Sequence, residues 1–267
     1  SPDARVRGFW IEHAKLCRTV AGALARNQGS PCTNNLWMPD GSREPPASPS
    51  ASRSLLIESL DEVFSERLEG VLDSLESKLF GIGLECFTAC SHELCIAYCV
   101  ERGVMPCLDM GHFHPTESVA DKVSALLPFV PGILVHVSRG VRWDSDHVPV
   151  ADDALRSLAR EAVRPGAIGR VHLALDFFDA SWNRIGALAA GARSLQRVLL
   201  SALLEPRALL ETLEGSHFEA SAAAEHAGEL PHGAVWERFL ETEGVPGWPE
   251  WSEAAALYEK RAAEERG

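Results

Sequence analysis

The chain has 267 residues, of which 46% are hydrophobic and 24% charged, with a formal net charge of -13 at pH 7. That is enough chain of ordinary globular composition for one large domain with a sizeable core. The acidic balance argues against an extended nucleic-acid surface, which needs clustered cations, and no uncharged apolar run is long enough to span a membrane.

In chain order, residues 5–27 read as an amphipathic helix carrying Phe9, Trp10, His13, Leu16, Val20 and Leu24, ended by Gly29 and Pro31. A short strand follows at 32–38, then a Pro- and Ser-rich loop over 42–52 and a helix over 53–68. The alternating run at 71–76 predicts a second strand, and Gly81-Ile82-Gly83 precedes a helix near 91–102 that Ser91 can cap. A strand at 106–109 leads through a glycine turn to a helix over 116–127, for which Thr116 is the expected cap. The run 133–138 is a fourth strand, followed by a polar loop and a helix over 152–164; 171–176 is a fifth, nearly continuous in apolar character. Helical patterns then occupy 183–204, 207–215, 217–228, 232–242 and 249–265.

Five strands, each followed by a helical segment, imply a parallel sheet with right-handed crossovers. Pattern alone leaves two architectures open, a part of a (β/α) barrel and a doubly wound open sheet.

The seven cysteines are Cys17, Cys32, Cys86, Cys90, Cys95, Cys99 and Cys107. An odd count in a chain of this size favours free thiols in a reducing compartment over a disulfide framework. The spacing from Cys86 to Cys99 does not match the short pairs of zinc or iron–sulfur sites, so these are read as packed helix thiols. The chain begins Ser-Pro-Asp-Ala-Arg, without an initiator Met or the apolar core of a signal peptide.

The chemistry-bearing residues sit at the ends of the apolar runs. Glu76 and Lys78 share a face by strand alternation, in a neighbourhood that Leu72, Leu75, Leu79 and Phe80 make apolar. Asp109 and His112 bracket Met110-Gly111, and the glycine permits the tight turn that aims both groups at one centre. His136 lies inside its strand. Asp144 and Asp146, at alternate positions, can reach one cation, with His147 beside them. Asp176 closes the fifth run, while Asp179 reads as a turn or cap residue. Carboxylates and imidazoles without thiolates suit Mn²⁺, Mg²⁺, Co²⁺ or Zn²⁺, and this many ligands make two ions per site plausible.

Four segments carry a resemblance to a known family: Glu76 to Gly83; Leu108 to Glu117 with its GHFHPTE; His136 to Arg139 with Val141 to Val148; and Leu175 to Ser181 with Asn183-Arg184-Ile185. Together with Asn35 to Gly41, Ala234-Val235-Trp236 and Tyr258-Glu259, they resemble L-rhamnose isomerase over nearly the whole chain. Gly140 stands where the family would have proline, and Ser91 to Cys99 is richer in cysteine than expected.

The resemblance implies a (β/α)-barrel fold of the TIM-barrel family, here a partial barrel with about five parallel strands, corresponding to the fourth to eighth, and extra C-terminal helices. It divides the chain into a barrel part at 1–206 with the metal site and a helical extension at 207–267. It implies a cytoplasmic, homotetrameric, metal-dependent isomerase interconverting L-rhamnose and L-rhamnulose. The partner is then a small-molecule sugar, with neither nucleic acid nor membrane involved, and a further N-terminal segment would supply the first three strands.

Carried over by residue, Glu76, Asp109, His136 and Asp176 would hold one Mn²⁺. Asp109 would be shared with a second ion held with His112, Asp144 and Asp146. Lys78, His112 and Asp144 would act on the substrate. The alternatives are another two-metal sugar isomerase or epimerase, or an inactive metal-binding remnant.

Overall fold

The computed structural model describes residues 1–38, 41–78, 85–114, 116–141, 146–179, 181–212 and 232–266. Among them are five strands: β1 (Cys32–Trp37), β2 (Val71–Glu76), β3 (Met105–Asp109), β4 (Ile133–Val137) and β5 (Val171–Leu175). The described helices are α1 (Ala4–Gln28), α2 (Pro49–Val63), α3 (His92–Arg102), α4 (Val119–Leu126), α5 (Asp153–Val163), α6 (Arg184–Leu203), α7 (Arg207–Thr212), α8 (His232–Glu243) and α9 (Trp248–Arg266). Every strand read from the sequence is present within a residue or so of its expected ends.

The strands form one sheet in the order β1-β2-β3-β4-β5. β1 with β2, β2 with β3 and β3 with β4 pair in parallel. This order decides between the two architectures left open by the sequence. A doubly wound sheet reverses direction at a switch point, whereas here each crossover steps the same way, as in a (β/α) barrel. The fold is thus a partial barrel of five strands with additional C-terminal helices.

The chain divides into two compact units, the first comprising residues 1–136 and 169–174, the second 137–141, 146–168 and the chain from 175 onward. Nearly all of the sheet lies in the first. Strand alternation sorts its side chains. Leu75 and Leu36 of adjacent strands face a core completed by Leu60 of α2 and by Cys95, Tyr98 and Cys99 of α3. The opposite face of β1, β2 and β3 carries Asn35, Ser74, Glu76, Cys107 and Asp109, so the polar residues collect on the side away from those helices.

α1 packs one face on β1, β2 and α2 through Ile11, Ala14, Ala21 and Ala25. Phe9, Trp10, Leu16, Val20 and Leu24 lie on its other side, exposed. The buried Arg18 guanidinium crosses from α1 to Asp73, 2.9 Å away, and also donates to the carbonyls of Val63 and Glu66. Gly70 enters β2 with φ +75, where the left-handed backbone favours glycine and a Cβ would stand 2.9 Å from that of Ala25.

Two helix starts differ from the sequence expectation. α2 begins at Pro49, inside the stretch read as loop, because the Ser48 hydroxyl accepts from the Ala51 N–H and proline suits the first helical turn. α4 begins at Val119 with Ser118 as its cap; the expected cap, Thr116, is instead 2.7 Å from His114 Nδ1 through its hydroxyl. Ser91 does cap α3, accepting from the Leu94 N–H. The helix expected over 217–228 lies outside the described residues.

In the second unit, α5 buries Leu155, Leu158, Ala159 and Ala162 and packs against α6. Arg160 of α5 and Arg164, which caps it, converge on the Glu205 carboxylate at 2.7 and 2.8 Å. Asn183 both caps α6 and donates its amide to Ala255 O of α9, 3.0 Å away.

Candidate metal centre

β2, β3 and β4 end side by side, and their register fixes which side chains meet. Glu76 is the partner of Cys107, and Asp109 is the partner of His136. In parallel strands such partners project to the same face, so two carboxylates, a thiol and an imidazole share one surface before any side chain is considered. Past the end of β3 the chain turns at once. The Asp109 carboxylate accepts from the Gly111 N–H at 2.7 Å and the Asp109 carbonyl from the His112 N–H at 3.3 Å. This turn swings the His112 ring back over the strand end.

The resulting distances are short. His112 Nδ1 lies 3.3 Å from Glu76 Oε1, and His112 Nε2 lies 3.9 Å from Asp109 Oδ2. His136 Nδ1 is 3.4 Å from both Glu76 Oε2 and Asp109 Oδ2. Glu76 and Asp109 are each only 3% exposed and His136 8%. Two overlapping triads, Glu76–Asp109–His112 and Glu76–Cys107–His136, each bring one donor atom per residue within 4.8 Å of the others.

Behind the donors stands a supporting chain. Asn35 of β1 donates its amide N–H to Glu76 Oε2 at 2.6 Å, and the Ser74 hydroxyl donates to Asn35 Oδ1 at 2.8 Å. Such outer partners fix the orientation of a ligating carboxylate. Burial pushes the Cys107 thiol up to about 12, so it stays protonated at neutral pH in the absence of a metal.

These groups fit a divalent cation. Burying two carboxylates costs several kcal/mol per charge unless a positive partner compensates. Lys78, 6% exposed, pairs with Glu85 Oε1 at 3.3 Å. Oxygen and imidazole donors at these separations suit a cation with bonds of about 2.1 Å, whose neighbouring donors stand about 3 Å apart.

Of the residues singled out in the sequence, Glu76, Asp109, His112 and His136 are brought together in the first unit. Asp146 and Asp176 belong to the second. Asp176 follows β5 directly, its N–H 3.5 Å from the Val137 carbonyl, and Asp146 accepts the Phe178 N–H at its carbonyl, 3.1 Å away. His147, joined to Arg139 by a small antiparallel bridge, has its Nδ1 3.3 Å from Asp179 Oδ2. Asp179 is held below the usual carboxylate range, chiefly by the hydroxyl of Ser181 and then by His147. Asp144 lies outside the described residues.

Sequence reading counted Cys107 among the seven cysteines and gave it no role in the site. It is a strand residue, and its position two before Asp109 was the available signal, because alternate strand residues share a face. Ser74, two before Glu76, carries the same signal.

The sequence is similar to known proteins along its length. Residues 1–266 match the family model described as L-rhamnose isomerase (RhaA). An L-rhamnose isomerase of Rhodopirellula baltica is 46% identical over 268 residues, covering 99% of this chain and 63% of the relative. Those of Bacteroides thetaiotaomicron and Mannheimia succiniciproducens are 47% and 46% identical, covering 100% and 99% of this chain and 64% of each relative. The chain thus spans less than two thirds of the length of these relatives.

Proposed function

This chain belongs to the L-rhamnose isomerase family, and on that premise we propose that it carries the metal centre of an aldose–ketose isomerase interconverting L-rhamnose and L-rhamnulose. The observation that supports this most directly is the convergence of Glu76, Asp109, His112 and His136 at the ends of three adjacent strands. Mn²⁺ is the cation of this reading, two per site, with Mg²⁺, Co²⁺ or Zn²⁺ able to substitute. The residues that would hold the ions are Glu76, Asp109, His112, His136, Asp144, Asp146 and Asp176. The assembly is a homo-oligomer in the cytoplasm. Among the described residues no helix is long and apolar enough to cross a membrane.

Bound divalent cations supply Lewis-acid polarisation of the sugar oxygens and offset the negative charge that develops there. The chain's own groups do the rest. Glu76 and Asp109, buried and braced by Asn35 and the Gly111 N–H, hold fixed negative charge without reorganising as the reaction proceeds. His112 stands at the edge of this group, more exposed than the carboxylates, and is positioned to contact substrate. Lys78 offers a positive donor toward the sugar's first oxygen. Isomerisation moves hydrogen from C2 to C1 and a proton from O2 to O1; a water carries that proton, with Asp144 as its acceptor.

The test is conversion of L-rhamnose to L-rhamnulose after EDTA treatment and Mn²⁺ add-back, on this chain and on a polypeptide extended to the length of its relatives. Mn²⁺-dependent ketose formation is expected. Failure of the extended polypeptide to form ketose, while another aldose or an epimer turns over, would replace this substrate assignment. Mn²⁺ binding with no turnover of any sugar would reduce the chain to a metal-binding remnant.

A further inference from the structure

The metal centre contains a thiol that an oxygen-and-imidazole site has no need of. Cys107 is the register partner of Glu76, is buried, and contributes its Sγ to a triad with Glu76 and His136 whose donor atoms all lie within 4.8 Å of one another. Glu76 belongs at the same time to the triad with Asp109 and His112. The two triads therefore share a carboxylate but differ in softness. Carboxylate and imidazole donors alone suit Mg²⁺ and Mn²⁺, whereas a sulfur donor adds affinity for zinc and cadmium.

Resting on the metal-centre reading above, we propose that Cys107 is a ligand for thiophilic cations, so that the centre binds zinc or cadmium through Glu76, Cys107 and His136 in a mode that Mn²⁺ does not use. Coordination breaks the S–H bond and forms a sulfur–metal bond, and the proton passes to solvent; no oxidant or reductant takes part. The other buried thiols are differently placed. Cys95, on α3, donates its S–H to Leu75 O at 3.3 Å, on the helix-covered side of the sheet. It is therefore a control thiol close in sequence and burial but outside the triad.

The experiment strips the protein of metal with EDTA and titrates it with Cd²⁺, following the ultraviolet charge-transfer band of a thiolate–cadmium bond. In parallel it measures Mn²⁺ binding by calorimetry. The expected result is a saturable band at one Cd²⁺ per chain that Cys107→Ser loses and Cys95→Ser keeps, with Cd²⁺ affinity falling in Cys107→Ser by more than the roughly ten- to hundredfold typical of losing an outer partner. Mn²⁺ affinity should change far less in that variant. A band that survives in Cys107→Ser, or that disappears in Cys95→Ser, overturns the assignment. Cadmium-edge X-ray absorption on the unmodified chain decides without any variant: one sulfur among nitrogen and oxygen neighbours is expected, and a sulfur-free shell overturns it. Mn²⁺ binding with no sulfur in the cadmium shell sinks this inference alone, whereas loss of both sinks the metal-centre reading with it.

Discussion

Asp109 and His136 face each other across adjacent parallel strands as direct register partners, with His136 Nδ1 3.4 Å from Asp109 Oδ2. The backbone sets this pair: the Met110 N–H donates to the His136 carbonyl at 3.1 Å, and the Gly111 N–H fixes the Asp109 carboxylate. Asp109 also stands within reach of His112, so one side chain connects both imidazoles.

Asp109→Asn is accordingly expected to be the most damaging conservative change in the centre. It keeps the volume but removes the charge that a cation requires. Mn²⁺ affinity should fall by more than about a hundredfold, beyond the ten- to hundredfold typical of an outer partner. Calorimetric titration of the metal-stripped protein checks this, with circular dichroism to establish that the fold is retained.

Asn35→Ala tests the supporting chain. The substitution removes the donor to Glu76 Oε2 without touching any proposed ligand. Metal affinity should drop about tenfold or somewhat more, and Asn35→Asp should be worse, since it sets a second carboxylate against Glu76. Equal affinities in wild type and Asn35→Ala would show that Glu76 needs no such bracing.

Arg18→Leu addresses stability far from the metal. The Arg18 side chain is 4% exposed, and its removal leaves Asp73 and two carbonyls without their donor. Breaking a buried pair in this way costs about 3–5 kcal/mol, read as a shift in the urea midpoint. A double change that also replaces Asp73 by Leu should recover part of that loss.

Asp61 carries a pH signature. Arg102 beside it, and secondarily the Tyr98 hydroxyl, hold its carboxyl below the usual carboxylate range. A depressed folded-state pKa means that the stabilisation is present above the unfolded value and is lost as pH falls through the folded one. The melting temperature of the wild type should therefore exceed that of Asp61→Asn near pH 7, and the gap should close below about pH 4. Because the group is partly solvent-exposed, the gap is small even at its widest.

Much of this organisation is legible in the sequence because its strands are written as short alternating or apolar runs. Val71–Glu76 and Ile133–Val137 could be placed almost to the residue. The strand order could not, since five βα units are compatible with reversing and non-reversing sheets alike. The helix starts at Pro49 and Val119 were missed for a local reason. Serine caps compete with neighbouring turn-formers, and only the hydrogen bonds actually made settle which one begins the helix.

Within the centre, the charged and imidazole members stood out by type. Cys107 did not, because a thiol in an apolar run looks like any small core residue until its register with Glu76 is known. Asn35 was visible only as part of a longer motif, its task hidden in a contact spanning 41 positions of chain.

The unreversed order β1-β2-β3-β4-β5 has a consequence for biogenesis. A ribosome releasing this polypeptide emits Asn35, Glu76, Asp109 and His136 in the order in which their strands lie side by side, so each new strand has its neighbour's edge already made. Cation capture through Glu76, Asp109 and His112 thus needs only the second and third strands, whereas the imidazole of His136 joins once the fourth is made.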